Sequence, residues 1–240
     1  CTAKVSDLET RLRSTLPIVF ILSNVRQVSP KSKKVATPPL FYARSSGVSP
    51  KLLIEMEKPT IILATSNGVG MGHLARASAI ALALKEYADP IIVSMAGGIA
   101  EVPEFMGIRC EYIPGRDRLW MSREKWDAYL RDRLLALVDE TGAKVLSFDG
   151  VVPYPGVIAA KFGHPKLSLV WVRRGLWQKK PQRFVLGLQS KMMDHIVEPG
   201  DVARAYDFGP TATRKDATLT SSVSLFQKAD AFTRDEARKI

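Results

Sequence analysis

The sequence predicts an α/β fold, a doubly wound Rossmann-like parallel sheet over residues 59–208 behind a partly irregular amino-terminal extension. Two observations carry it. Short apolar runs of buried-strand length alternate with helical patterns from Thr60 onward, and a glycine-rich turn joins the first run to the first helix. Parallel strands need crossover connections and are covered on both faces, so they read as continuous apolar runs.

Thr60 to Thr65 is the first such run, closed by Ser66-Asn-Gly-Val-Gly-Met-Gly72. Leu74, Ala77, Ile80, Ala81 and Leu84 then recur at helical spacing, and Ala75, Ala79 and Ala83 allow close packing on a sheet. Pro90 to Met95 reads as a second strand, Gly98 to Met106 as a short helix interrupted by Pro103, and Cys110 to Ile113 as a third strand. Ser122 to Glu140 is a long amphipathic helix with Trp126, Leu130, Leu134, Leu137 and Val138 on its stripe. Lys144 to Phe148 is a strand ending at Asp149-Gly150. A helix through Val157 to Lys161 leads to the strand Leu167 to Val172, which ends at Arg173-Arg174-Gly175. In such sheets ligands lie beyond the carboxyl ends of the strands, which selects 66–73, 149–156 and 173–178.

Residues 1–58 read as a basic extension or linker. They carry +6 of the formal net charge of +11, and Pro30, Pro38, Pro39, Gly47 and Pro50 break any period from 23 to 58. Residues 3–14 could form one short polar helix. Residues 209–240 read as a Thr- and Ser-rich linker, followed from Thr233 by the first turns of a helix that opens a second domain. The positive charge favours anionic partners, but no aromatic platform is interleaved with it, so specific nucleic-acid binding is not expected. Cys1 and Cys110 make neither a disulfide framework nor a metal site, and His73, His164 and His195 are too far apart to suggest a ligand set. A reducing cytoplasm is the expected location. No apolar run approaches the roughly 20 residues of a membrane-spanning helix. A chain opening on Cys1 reads as a fragment or a processed form.

A glycine-rich turn before a helix offers bare backbone N–H groups and the positive end of the helix dipole to an anion. The dinucleotide fingerprint GxGxxG fails, because His73 stands where its third glycine belongs, and the second strand ends in Ser94-Met95-Ala96 without an acidic residue for a ribose. GxxxxGK[ST] fails too, since no Lys follows Gly72. What remains is GxGxGH.

That loop, Ser66-Asn-Gly-Val-Gly-Met-Gly-His-Leu-Ala-Arg-Ala77, resembles the amino-terminal signature of two-domain GT-B glycosyltransferases, especially those that add N-acetylglucosamine or other sugars to lipid-linked acceptors. Ser147 to Gly150, Trp171 to Gly175 and Asp194 to Pro199 extend the resemblance over about 59–208. It implies an acceptor-binding domain of a metal-independent, inverting glycosyltransferase needing no cofactor, with a nucleotide sugar as donor substrate and a hydroxyl or lipid-linked acceptor. Peripheral contact with a membrane at the cell envelope would accompany such an acceptor. A complete member would run on for about 150 residues as a second doubly wound domain. The chain is therefore expected to be a truncated form or a half-enzyme needing a partner, and not to transfer sugar alone.

On this reading His73 and Asp149 are the catalytic candidates, His73 as a base that the helix terminus keeps neutral and Asp149 as a hydrogen-bond partner of the acceptor hydroxyl. Asn67, Gly68, Gly70 and Gly72 would bind substrate, and Arg173 and Arg174 would hold a pyrophosphate. Each has a plainer alternative. The glycines would simply permit the turn, His73 would cap or pack, and Asp149 would order Gly150 and the Pro153-Tyr154-Pro155 turn. Arg173 and Arg174 would form a solvated basic loop. His164 and His195 read as structural. The competing function is a non-catalytic protein that holds a nucleotide or phosphorylated ligand in the same loop.

Overall fold

The computed structural model describes residues 58–66, 71–96, 101–116, 121–177, 183–225 and 232–239. Within them the strands are β1 (Thr60–Thr65), β2 (Asp89–Ser94), β3 (Arg109–Tyr112), β4 (Val145–Asp149), β5 (Ser168–Val172), β6 (His195–Glu198) and β7 (Thr218–Leu219). The helices are α1 (Gly72–Leu84), α2 (Glu101–Phe105), α3 (Arg123–Thr141), α4 (Pro155–Gly163), α5 (Arg183–Met192) and α6 (Arg234–Ala237). All seven strands run parallel in the order β3-β2-β1-β4-β5-β6-β7. The doubly wound Rossmann-like class is the one the sequence predicts.

Strand alternation divides the core between two faces. Ile61 and Leu63 point to the α1 side, where they bury Leu74, Ala77, Ile80, Ala81 and Leu84 together with Ile92, Val145, Val170 and Val197. Ile62 and Ala64 point the other way, onto Trp126, Leu130, Leu134, Leu137 and Val138 of α3 and Val157 and Ala160 of α4. Both predicted stripes are therefore buried. Helix α3 opens on the Ser122 cap, whose hydroxyl accepts from Lys125 N–H, and closes at Gly142, whose left-handed φ of 64° suits only glycine without strain. Pro155 starts α4, where its missing N–H costs nothing. The Asp127 carboxylate of α3 accepts from Gly156 N–H at 3.0 Å and so ties the two helices together.

Two elements depart from the sequence reading. Helix α5 was not foreseen, because Phe184, Val185 and Leu188 lie on its exposed side, Gly187 interrupts it, and the stripe that reaches the core is short, with Leu186 fully buried. Strand β7 lies in the Ser- and Thr-rich stretch expected to be linker. Thr220 N–H donates to Glu198 O at 3.1 Å, and Thr218 and Leu219 register with Val197 and Glu198, so the sheet passes the expected boundary at 208. Thr233 does start a helix, through a reciprocal cap with Glu236. The helix expected at 3–14 and nearly all of the basic extension lie outside the described residues.

Candidate functional site

The carboxyl ends of β1 and β4 meet at the register pair Thr65 and Asp149, and Ser66 N–H donates to Asp149 O at 2.7 Å. Gly150 follows directly, and Trp171 Nε1 donates to its carbonyl at 2.9 Å. A Cβ at Gly150 would lie 2.6 Å from the Phe148 ring and 2.8 Å from Ser66 Cβ. This close approach is why a glycine stands there. Gly150→Ala is expected to destabilise the domain by about 1–3 kcal/mol, read as a drop in the denaturant midpoint at unchanged slope.

Across this edge α1 starts at Gly72, expected in the loop but here the first helical residue, with open space where its Cβ would be. His73 and Arg76 stand three residues apart on α1, hence on one face. Both reach Asp149. His73 Nδ1 lies 2.8 Å from Asp149 Oδ1, Arg76 Nε donates to Oδ2 at 2.7 Å, and Arg76 Nη2 donates to Oδ1 at 2.6 Å. Because a carboxylate only accepts, the proton of this hydrogen bond sits on Nδ1, and Nε2 takes no part in the contact with Asp149. Arg76 Nη2 also lies 3.3 Å from Nδ1, but both groups aim a proton at Oδ1, so this is proximity and not a hydrogen bond. The Asp149 side chain is 5% exposed against 20% for His73 and 24% for Arg76. Burial works against the charge of Arg76, and the hydrogen bond and charge of Asp149 more than offset it, holding the guanidinium above its ordinary value.

His73 and Arg76 line a cleft of about 750 Å³, with Ser66, Arg116, Tyr154 and Arg174 further along its wall. Arg116 stacks on the Tyr154 ring at 5.1 Å, and Arg174, exposed, donates from Nε to Gly175 O at 3.4 Å. Asp201 is the acidic residue on the wall. The cleft is thus predominantly cationic. Leu176, also on its wall, holds a left-handed φ of 56°, and its N–H donates to Asp207 Oδ2 at 3.1 Å. Such a conformation persists only where the surroundings enforce it.

The structure redistributes the expected site residues. His73 and Asp149 come together, but the Asp149 carboxylate is taken up by α1 and not by the turn at 150–155. Gly72 and Arg174 line the cleft, whereas Asn67, Gly68 and Gly70 lie outside the described residues. Arg173 is a correction. It is fully buried, neither a cleft residue nor a solvated one: Nη2 donates to Glu198 Oε2 at 3.2 Å and to Asp216 Oδ1 at 2.9 Å, and its guanidinium sits 5.6 Å from the Trp171 ring. The physical reason is that Glu198, 4% exposed, would otherwise be a buried charge with only the more distant Arg204, at 3.9 Å, to balance it. Arg76 was missed, although its i+3 spacing from His73 was visible. Tyr154 and Arg116 were missed too, and no spacing connects them. His164 caps α4, and His195 opens β6, lining a separate cavity of about 530 Å³ with Arg214 and Asp216. Among the described residues, no group of three or more His, Cys, Asp or Glu is placed to hold a metal ion.

No family model and no curated protein matches the chain. Among solved structures it is similar to a glycosyltransferase from Rickettsia africae, with a TM-score of 0.53 and 11% identity over 68% of this chain and 43% of that one. The fold is Rossmann-like, of the GT-B kind. The chain is also similar to MurG from Acinetobacter baumannii, at a TM-score of 0.46 and 12% identity over 69% and 44% of the two chains. A UDP-GlcNAc 2-epimerase from Neisseria meningitidis, bound to UDP-GlcNAc, gives 0.44 and 11% over 61% and 41%. The chain spans less than half the length of each of these proteins. No helix among the described residues is long and apolar enough to cross a membrane.

Proposed function

We propose that this chain is the acceptor-binding half of a glycosyltransferase that moves a sugar from a nucleotide donor to a hydroxyl of an anionic, for example lipid-linked, acceptor. The observation that carries the reading is the His73–Asp149 pair, whose His73 lines a cationic cleft, on the sheet edge where doubly wound folds bind ligands. Asp149 fixes the tautomer and orientation of His73, whose Nε2 accepts the proton of the acceptor hydroxyl. The oxygen so freed bonds to the anomeric carbon of the donor sugar. The bond from that carbon to the nucleoside diphosphate breaks, and its electron pair leaves on the phosphate oxygen. Arg116 and Arg174 supply positive charge for an acceptor phosphate. The donor would be held by a second domain, in the same polypeptide or a partner, and contact with a membrane surface would follow from a lipid-linked acceptor.

The test is UDP release from UDP-N-acetylglucosamine by a form of the protein carrying a donor-binding domain, with and without a prenyl-pyrophosphate-linked sugar acceptor. Acceptor-dependent release that His73→Gln abolishes is the expected result. Binding of the acceptor without release would favour the non-catalytic phospholigand reading, and release indifferent to His73 would remove the base assignment.

A further inference from the structure

We propose that Arg76 is a positioning residue that sets the charge state of the His73–Asp149 pair, balancing the buried carboxylate so that His73 stays a neutral imidazole with a free Nε2. This rests on reading His73 as the base, but it goes beyond that reading because it assigns the charge balance of the site to a residue that acts through its contacts with Asp149 and His73.

A carboxylate as buried as Asp149 must have a cation beside it or take up a proton. With histidine as its only neighbour, the cheapest cation is the imidazolium, which carries a proton on both ring nitrogens. A base in that state cannot accept another. Arg76 removes the need. Its guanidinium is permanently charged and meets both carboxylate oxygens as a fork, Nε on Oδ2 at 2.7 Å and Nη2 on Oδ1 at 2.6 Å. Asp149 Oδ1 then accepts from Arg76 and His73 together, so Asp149 still orients the ring while its charge is already matched. The nearness of Arg76 Nη2 to Nδ1, 3.3 Å, further opposes a positive charge on the ring.

The other titratable groups around His73 come from the remaining elements at the edge. Arg116 follows β3, Arg174 follows β5, Asp201 follows β6, and the Tyr154 phenol lies before α4. Arg116 and Arg174 act in the same sense as Arg76, and Asp201 in the opposite sense. Arg76 is distinguished by direct contact with both members of the pair. Its position is fixed by α1, since i and i+3 share a face and β1–β4 pairing places Asp149 opposite that face.

The experiment is an NMR titration of the histidine rings in the whole 240-residue chain, which has three histidines, with the His73 signal assigned by its loss in His73→Gln. In the parent protein His73 must be the neutral Nδ1–H tautomer at pH 7, and an imidazolium there would overturn the proposal. In Arg76→Gln the His73 midpoint is expected to rise by about one pH unit or more, as the ring takes over the balancing charge. Arg76→Lys, which keeps a cation but not the fork, should leave the midpoint near that of the parent. An unmoved midpoint in folded Arg76→Gln, or an equal rise in Arg76→Lys, would sink the idea. If Arg76→Gln does not fold, the parent tautomer and the Arg76→Lys midpoint still decide. No substrate is needed, so a neutral His73 governed by Arg76, alongside a form with a donor-binding domain that shows no acceptor-dependent UDP release, would sink the proposed function and leave this inference standing.

Discussion

His73→Ala is expected to lower kcat by about 10²–10⁴ in a form of the protein that turns over, with little change in thermal midpoint. The magnitude follows from its role. Removing the ring takes away the proton acceptor, while Arg76 still satisfies both oxygens of Asp149, so no buried charge is left unpaired. A residue that merely capped α1 would behave otherwise, costing on the order of 1 kcal/mol of stability and leaving turnover per folded molecule near the parent level. No side-chain cap hydrogen bond exists at the start of α1, which already weakens the capping alternative. Turnover and thermal midpoint measured on the same His73→Ala preparation separate the two, and unchanged turnover would remove His73 from the mechanism.

The largest stability effect is expected at Arg173. Arg173→Met should cost about 3–5 kcal/mol, because it strands Glu198 in the core with Arg204, at 3.9 Å, as its remaining cation. Replacing both partners, as in Arg173→Met with Glu198→Met, should recover much of that loss, since an apolar pair avoids the desolvation of two ions. Denaturant midpoints of parent, single and double variants check both statements, and a double variant no better than the single would refute this account. Asp216 ties the network to pH. Burial opposes its ionisation, but the hydrogen bonds and charges of Arg214 and Arg173 outweigh this and hold its carboxyl well below the usual carboxylate range. A carboxyl depressed in the folded state contributes stability that is present above its unfolded value and is lost as pH falls toward the folded one. Stability should therefore decline below about pH 4, and less steeply in Asp216→Asn.

Five of the strands and the stripes of α1 and α3 were legible because an apolar run or a 3.6-residue period is a local property of the chain. Strand β7 was hidden, because two residues held by backbone hydrogen bonds leave no side-chain pattern. The same contrast governs the site. Asp149 and His73 could each be suspected from their places after a strand and at a helix start. Their mutual contact depends on the register of β1 against β4, which the sequence does not spell out. Arg173 was misread for a related reason. An arginine after a buried strand looks like a ligand group, and only the arrival of Glu198 and Asp216 from distant segments turns it inward.

The pairing of β1 with β4 has a consequence in time as well as space. Thr65 and Asp149 are adjacent in the sheet but separated along the chain by α1, β2, α2, β3 and α3, so the loop that joins them closes at an entropic cost. His73 and Asp149 meet only when that loop has closed. Each half can be helical or extended beforehand, yet the geometry of the pair requires β1 to be paired with β4. The ring resonance of His73 is thus a reporter of β1–β4 closure, and in a refolding experiment it should reach its native position no earlier than the burial of Trp126 against that part of the sheet.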